Sequence, residues 1–62
     1  MELIKEVTEG KCKKQIFLNK EFNQYLICFI EPEEPDYRMG KYYTHTLEDA
    51  EARIKTSWKN WG

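Results

Sequence analysis

Residues 46–61, TLEDAEARIKTSWKNW, carry the one long periodic pattern in the chain. Leu47, Ala50, Ile54, Trp58 and Trp61 recur at helical spacing, so they line one narrow stripe of an α-helix that needs a surface to cover. Thr46 followed by Asp49 has the spacing of a capping box, in which a hydroxyl takes a backbone N–H while the acid favours the positive end of the helix. Glu48, Asp49 and Glu51 load the first turns and Arg53, Lys55 and Lys59 the later ones. Asp49 to Arg53 and Glu51 to Lys55 are acid-first i,i+4 pairs.

Upstream, every position from 25 to 30, YLICFI, is apolar. As a strand it points Leu26, Cys28 and Ile30 one way and Tyr25, Ile27 and Phe29 the other, and both sets want cover, which marks a central strand. Residues 12–18 alternate, with Cys12, Ile16 and Leu18 on one face and Lys13, Gln15 and Phe17 on the other, while Lys14 interrupts the apolar side. The short polar link at 19–21 predicts an antiparallel hairpin between them. Residues 2–9, ELIKEVTE, supply an optional extra strand in front, closed by a turn at Gly10 and Lys11. Pro32 and Pro35 make EPEEPDYRMG a solvated loop, and residues 41–45 are extended again, with Tyr42 and Tyr43 on opposite faces.

The fold expected is α+β: an antiparallel sheet of three to four strands with one C-terminal helix on one face (βββα), residues 1–62 forming a single small domain. The helix is expected to cover Ile16, Leu18, Leu26, Cys28 and Ile30. That leaves Phe17, Tyr25, Ile27, Phe29 and one of the tyrosines at 42 and 43 on the far face. Aromatic side chains of this size bury roughly 150–250 Å² each, more in sum than a monomer usually leaves in water. The expected partner-binding residues are therefore Phe17, Tyr25, Ile27, Phe29, Tyr42 and Trp61, the last at the edge of the core or as an exposed anchor.

A chain of 62 residues buries only about 60% of its extended-chain surface, so a dimer or a tight complex would supply useful stability. With 34% charged residues and a net charge of -1, there is no overall pull toward nucleic acid or anionic membrane. The longest apolar run is far too short to span a bilayer, and Met1-Glu2 lacks the basic opening of a signal peptide, so a cytoplasmic protein is expected. Cys12, Cys28 and His45 are the soft ligands, and none shows the local spacing of a zinc site. No metal, cofactor or small-molecule substrate is expected, the cysteines are expected reduced, and a chain this small has little room for a catalytic pocket. The acidic loop at 31–36 is expected to be solvated, or to steer toward a basic partner. Lys11, Lys13, Lys14 and Lys20 near Phe17, Tyr25 and Phe29 form the alternative, a nucleic-acid platform of stacked bases and neutralised phosphates.

The junction GKYYTHTLEDAEARIKTSW, with Thr46, Leu47, Glu48, Asp49 and Ala50 at the helix start and EPDYRMG before it, resembles HicB-like antitoxin domains over residues 14–58. That family has a Pro-Asp-Leu-Pro-Gly-type stretch in place of EPDYRMG; this chain lacks the second Pro-Gly and a DNA-binding extension after Gly62. The resemblance implies an inhibitor that binds and neutralises a partner protein, without operator recognition. The same order of elements and the T-x-x-E-A-like start also resemble the three-stranded arm-binding domain of integrases, which implies DNA contact through the sheet. The leading expectation is a non-catalytic protein-binding module, inhibitor or adaptor, of the kind phages and mobile elements carry, that engages a larger protein or a second copy.

Overall fold

The computed structural model describes residues 1–36 and 38–61, with side chains given except at 38–41 and 58. Four strands, β1 (Glu2–Glu9), β2 (Cys12–Asn19), β3 (Gln24–Ile30) and β4 (Arg38–Thr44), precede helix α1 (Leu47–Ile54) and a single 3-10 turn, Trp58–Asn60. The strands lie in sequence order β1-β2-β3-β4, every neighbouring pair antiparallel. The fold is thus the expected α+β sheet with one C-terminal helix packed on it, and residues 2–9 do form the extra strand.

Local chemistry places the turns. Gly10 links β1 to β2 at φ 62°, a left-handed conformation in which a Cβ would be strained. Four residues, 20–23, link β2 to β3. Asn19 Oδ1 accepts from the Glu21 N–H at 3.2 Å, and Asn23 takes φ 53°, which asparagine tolerates better than most residues. Pro32 follows Glu31 in a turn closed by the Glu34 N–H donating to the Glu31 carbonyl at 3.2 Å.

The β2–β3 loop decides which side of β3 meets the helix. Its length pairs Ile16 with Ile27, Lys14 with Phe29 and Leu18 with Tyr25. Ile27 and Phe29 therefore share a face with Ile16 and pack with Ala50, Ile54 and Trp61 as the core, flanked by Val7, Cys12, Tyr25, Tyr42 and Leu47. Alternation along β3 was expected and is seen, but the covered set is Tyr25, Ile27 and Phe29, while Leu26, Cys28 and Ile30 face away. A one-residue change in hairpin register exchanges the two sets, and the link is longer than the three residues expected.

The helix is also shorter than its periodicity implies. Thr46 caps it as expected, its hydroxyl accepting from the Asp49 N–H at 3.1 Å. Asp49 pairs with Arg53 at 3.7 Å, but Glu51 reaches Lys5 of β1 at 3.9 Å, not Lys55. After Ile54 the chain folds back: the Thr56 hydroxyl and the Trp61 indole N–H both donate to the Arg53 carbonyl, each at 2.7 Å. Trp61, 1% exposed, thus closes the core from a non-helical segment. Serine and threonine readily bond nearby carbonyls in place of the helical ladder, which favours a stop here.

Candidate interaction surface

On the face turned from the helix, direct cross-strand partners form rows. Leu3 opposes Phe17, Phe17 opposes Leu26, and Leu26 opposes Tyr43, so four apolar side chains cross all four strands in one line. Glu6, Gln15 and Cys28 make the next row, with the Gln15 Nε2 donating to the Glu6 carboxylate at 2.6 Å. Beyond it come Thr8, Lys13 and Ile30, and Lys13 leans back to Glu6 at 3.9 Å.

This face is sealed along its middle without any helix on it. Leu26, Cys28 and Ile30 are buried. Close cross-strand neighbours shield them: Leu26 stands between Phe17 and Tyr43, Cys28 beside Gln15, and Ile30 beside Lys13 in a cleft that Pro32 and Pro35 also line. Among the described residues, the large hydrophobics that remain in water lie at one end: Met1, Leu3, Ile4, Phe22 and Tyr43, with Leu3 49% and Tyr43 52% exposed. Register places all five within the half of the sheet nearest the 20–23 turn. Beside them Met1, Glu2, Leu18, Asn19, Lys20 and Glu21 line a cleft of about 320 Å³.

Of the residues expected to bind a partner, only Phe17 lies on this face, half-buried. Ile27, Phe29 and Trp61 are core, and Tyr25 is half-buried on the helix side. Tyr42 is there too, its ring stacked under the Arg53 guanidinium at 4.3 Å. Leu3, Leu26 and Tyr43 take their place, a row that only the correct register discloses.

The four lysines are not gathered into one platform. Lys14 is buried on the helix side, its Nζ 2.8 Å from Glu9 and 3.4 Å from the Thr56 carbonyl, tying the first hairpin to the end of the helix. Lys13 stands on the other face with Glu6, and Lys20 pairs with Glu2 at 3.6 Å at the far end from Lys11. Cys12 and Cys28 lie on opposite faces and are not joined in a disulfide. Burial first, then the carboxylates of Glu31, Glu33 and Glu9, push the Cys12 thiol above its ordinary value. His45 follows the end of β4 beside Tyr25, whereas Cys28 lies three residues farther along β3, so the two are not brought into one row.

The other end of the sheet is charged. Glu31, Glu33, Glu34 and Asp36 take part in no ion pair among the described residues, unlike Glu2, Glu6, Glu9, Asp49 and Glu51. Lys11, Lys13, Gln15, Ile30, Glu31, Pro32 and Pro35 line a cleft of about 330 Å³ there. The Gln15 Oε1 is buried and accepts no hydrogen bond among the described residues, a condition that typically costs about 1–3 kcal/mol. Flipping the amide would set that oxygen against the Glu6 carboxylate, so the observed orientation is the better one.

Among the described residues, no helix is long and apolar enough to cross a membrane. Comparison with protein-family models, with curated proteins and with solved structures finds no match.

Proposed function

We propose that this chain is a non-catalytic protein-binding module that takes a partner on the apolar end of its sheet, around Leu3, Phe17, Leu26 and Tyr43. The observation that carries it is the gathering near the 20–23 turn of the five large hydrophobics that are exposed among the described residues. Scattered apolar residues on a surface are ordinary, whereas a contiguous group rimmed by polar residues marks a contact site. Phe17 and Tyr43 contribute the rigid aromatic area from which interface anchors are made. An inhibitor or adaptor, as the antitoxin resemblance implies, is the narrower form of this proposal. Both a larger protein and a second copy satisfy its chemistry.

Affinity capture from the source cell, with sedimentation of the pure protein, tests it. Leu3→Ser with Tyr43→Ser should abolish specific capture or self-association while circular dichroism is unchanged. Lys55→Ser with Lys59→Ser, on the helical side of the chain, should change neither. Capture that survives the apolar double variant, or that never exceeds background, would sink the proposal.

A further inference from the structure

We propose that β1 pairs with β1 of a second copy of this chain, antiparallel about a two-fold axis at Val7, so that two four-stranded sheets become one. The strand order gives β1 a neighbour on one side only, and α1 packs over β2, β3 and β4. Apart from the half-buried Val7, β1 is exposed along its length, so among the described residues its outer edge is open. Such an edge is a row of unpaired backbone groups that another strand can use. The irregularity between Leu3 and Lys5 breaks the first half of the strand, and residues 5–9 stay regular. Gly10 and Lys11 alone link Glu9 to Cys12, so that pair closes the hairpin through its own backbone groups. By alternation Val7 and Lys5 also turn their N–H and C=O groups to β2, whereas Thr8 and Glu6 turn theirs to the open side.

The side chains choose the register. Lys5, Val7 and Glu9 stand on the helix side, where Lys5 meets Glu51 at 3.9 Å and Glu9 meets Lys14 at 2.8 Å, while Glu6 and Thr8 stand on the other. With Val7 on the axis, Lys5 of each copy opposes Glu9 of the other, and Glu6 opposes Thr8, both with backbone groups aimed across the gap. Lys5 and Glu9 are 43% and 49% exposed, so each can take a second partner. Charge then alternates from Glu51 through Lys5 to Glu9 and Lys14 of the second copy. An axis at Glu6 sets the two Glu6 carboxylates against each other. One at Thr8 sets Lys5 against Lys11 and runs the ladder into the turn. The edge is thus complementary to itself in the Val7 register. So short a ladder buries less than the roughly 1,200 Å² of a standard interface, which makes the dimer reversible and concentration-dependent.

Sedimentation of the pure protein over a range of concentrations tests it, with Thr8 as the handle because that side chain is exposed. Thr8→Glu places a carboxylate opposite Glu6 at both symmetric points and should weaken the dimer about tenfold. Within its own chain the new acid faces Lys13, so the urea midpoint should not fall. Thr8→Lys should tighten the dimer for the opposite reason. The register is read by disulfide formation under mild oxidation in a Cys12→Ser background: Val7→Cys should link two copies, whereas Glu6→Cys and Thr8→Cys should not, since only directly opposed residues lie within reach. The joined sheet leaves the two apolar ends open and far apart. Leu3→Ser with Tyr43→Ser should therefore leave this dimer unchanged while it removes capture of a larger protein, which keeps the two contacts separable. A chain that stays monomeric at every concentration, or a dimer indifferent to both Thr8 variants, overturns the edge pairing. So does a link at position 6 or 8 in place of 7, or a dimer lost with the Leu3 and Tyr43 variant.

Discussion

The two faces of the sheet solve one problem in different ways. On the helix side, Ile16, Ile27 and Phe29 are sealed by another layer, Ala50 and Ile54 from α1 and Trp61 from the folded-back tail. On the far side, Leu26, Cys28 and Ile30 are just as dry, yet their shields are cross-strand neighbours: Phe17, Tyr43, Gln15 and Lys13. An all-apolar strand therefore need not signal a missing cover. Long amphipathic side chains on the β2 flank lay their stems over it while their polar heads stay hydrated or paired, as Lys13 and Gln15 do with Glu6. Among the described residues, the exposed apolar surface lies at the end of the sheet and not in its middle.

If the faces differ in this way, equal truncations should not cost the same. Ile27→Ala empties a site with packed atoms on every side and should lose about 3–5 kcal/mol, much of the stability of so small a domain. Leu26→Ala opens toward side chains that can move inward, and should lose about 2 kcal/mol, the low end for such truncations. Urea denaturation measures both. Losses equal within error would mean that the far face is as rigid as the core, and the contrast would fail.

How much of this was legible in the sequence follows from what a pattern can encode. Alternation along residues 12–18 and 24–30 sorts side chains into two sets, and those sets are the ones seen. Which set meets the helix depends on the parity of the hairpin, and parity rests on whether Phe22 and Asn23 belong to the turn or to the strand. Asn23 at φ 53° puts them in the turn, a detail no hydrophobic pattern contains. Spacing likewise drew Ile54 and Trp61 on one helical stripe and left Trp61 open between the edge of the core and an exposed anchor. A 3-10 fold-back brings its indole into the core instead, held by the Arg53 carbonyl that Thr56 and Trp61 share. The Thr46 cap and the Gly10 turn were legible because each rests on a single residue's own chemistry.

The charged groups sharpen the contrast with smaller effects. Lys14 is the one cation held inside the helix-side layer among the described residues, 5% exposed against 49% for Glu9. Removing its partner, as in Glu9→Gln, leaves the ammonium with the Thr56 carbonyl and should cost about 1–2 kcal/mol, below the figure for a fully buried pair because Glu9 is half in water. Lys14→Met removes charge and desolvation together and should change stability by less than about 1 kcal/mol. Tyr43→Ser, at the exposed rim of the other face, should shift the urea midpoint least, within about 0.5 kcal/mol, while weakening partner binding.

The cysteines test the comparison without altering it, because each reports on one face. Cys28, on the face with no helix, is 0% exposed, whereas Cys12, on the helix side near the edge of the core, is only half-buried. In the folded protein iodoacetamide should therefore modify Cys12 alone, and Cys28 only at the rate of unfolding. Because the folded Cys12 thiol holds its proton above the ordinary range, the stability its neutral form contributes is present below that range and is lost as pH rises through the raised value. Its alkylation midpoint should lie correspondingly high. Glu31→Gln with Glu33→Gln should bring it only part of the way back, since burial is the larger cause. Equal alkylation rates for the two thiols would show that neighbouring side chains do not keep water from the uncovered face, and that β3 lacks cover after all.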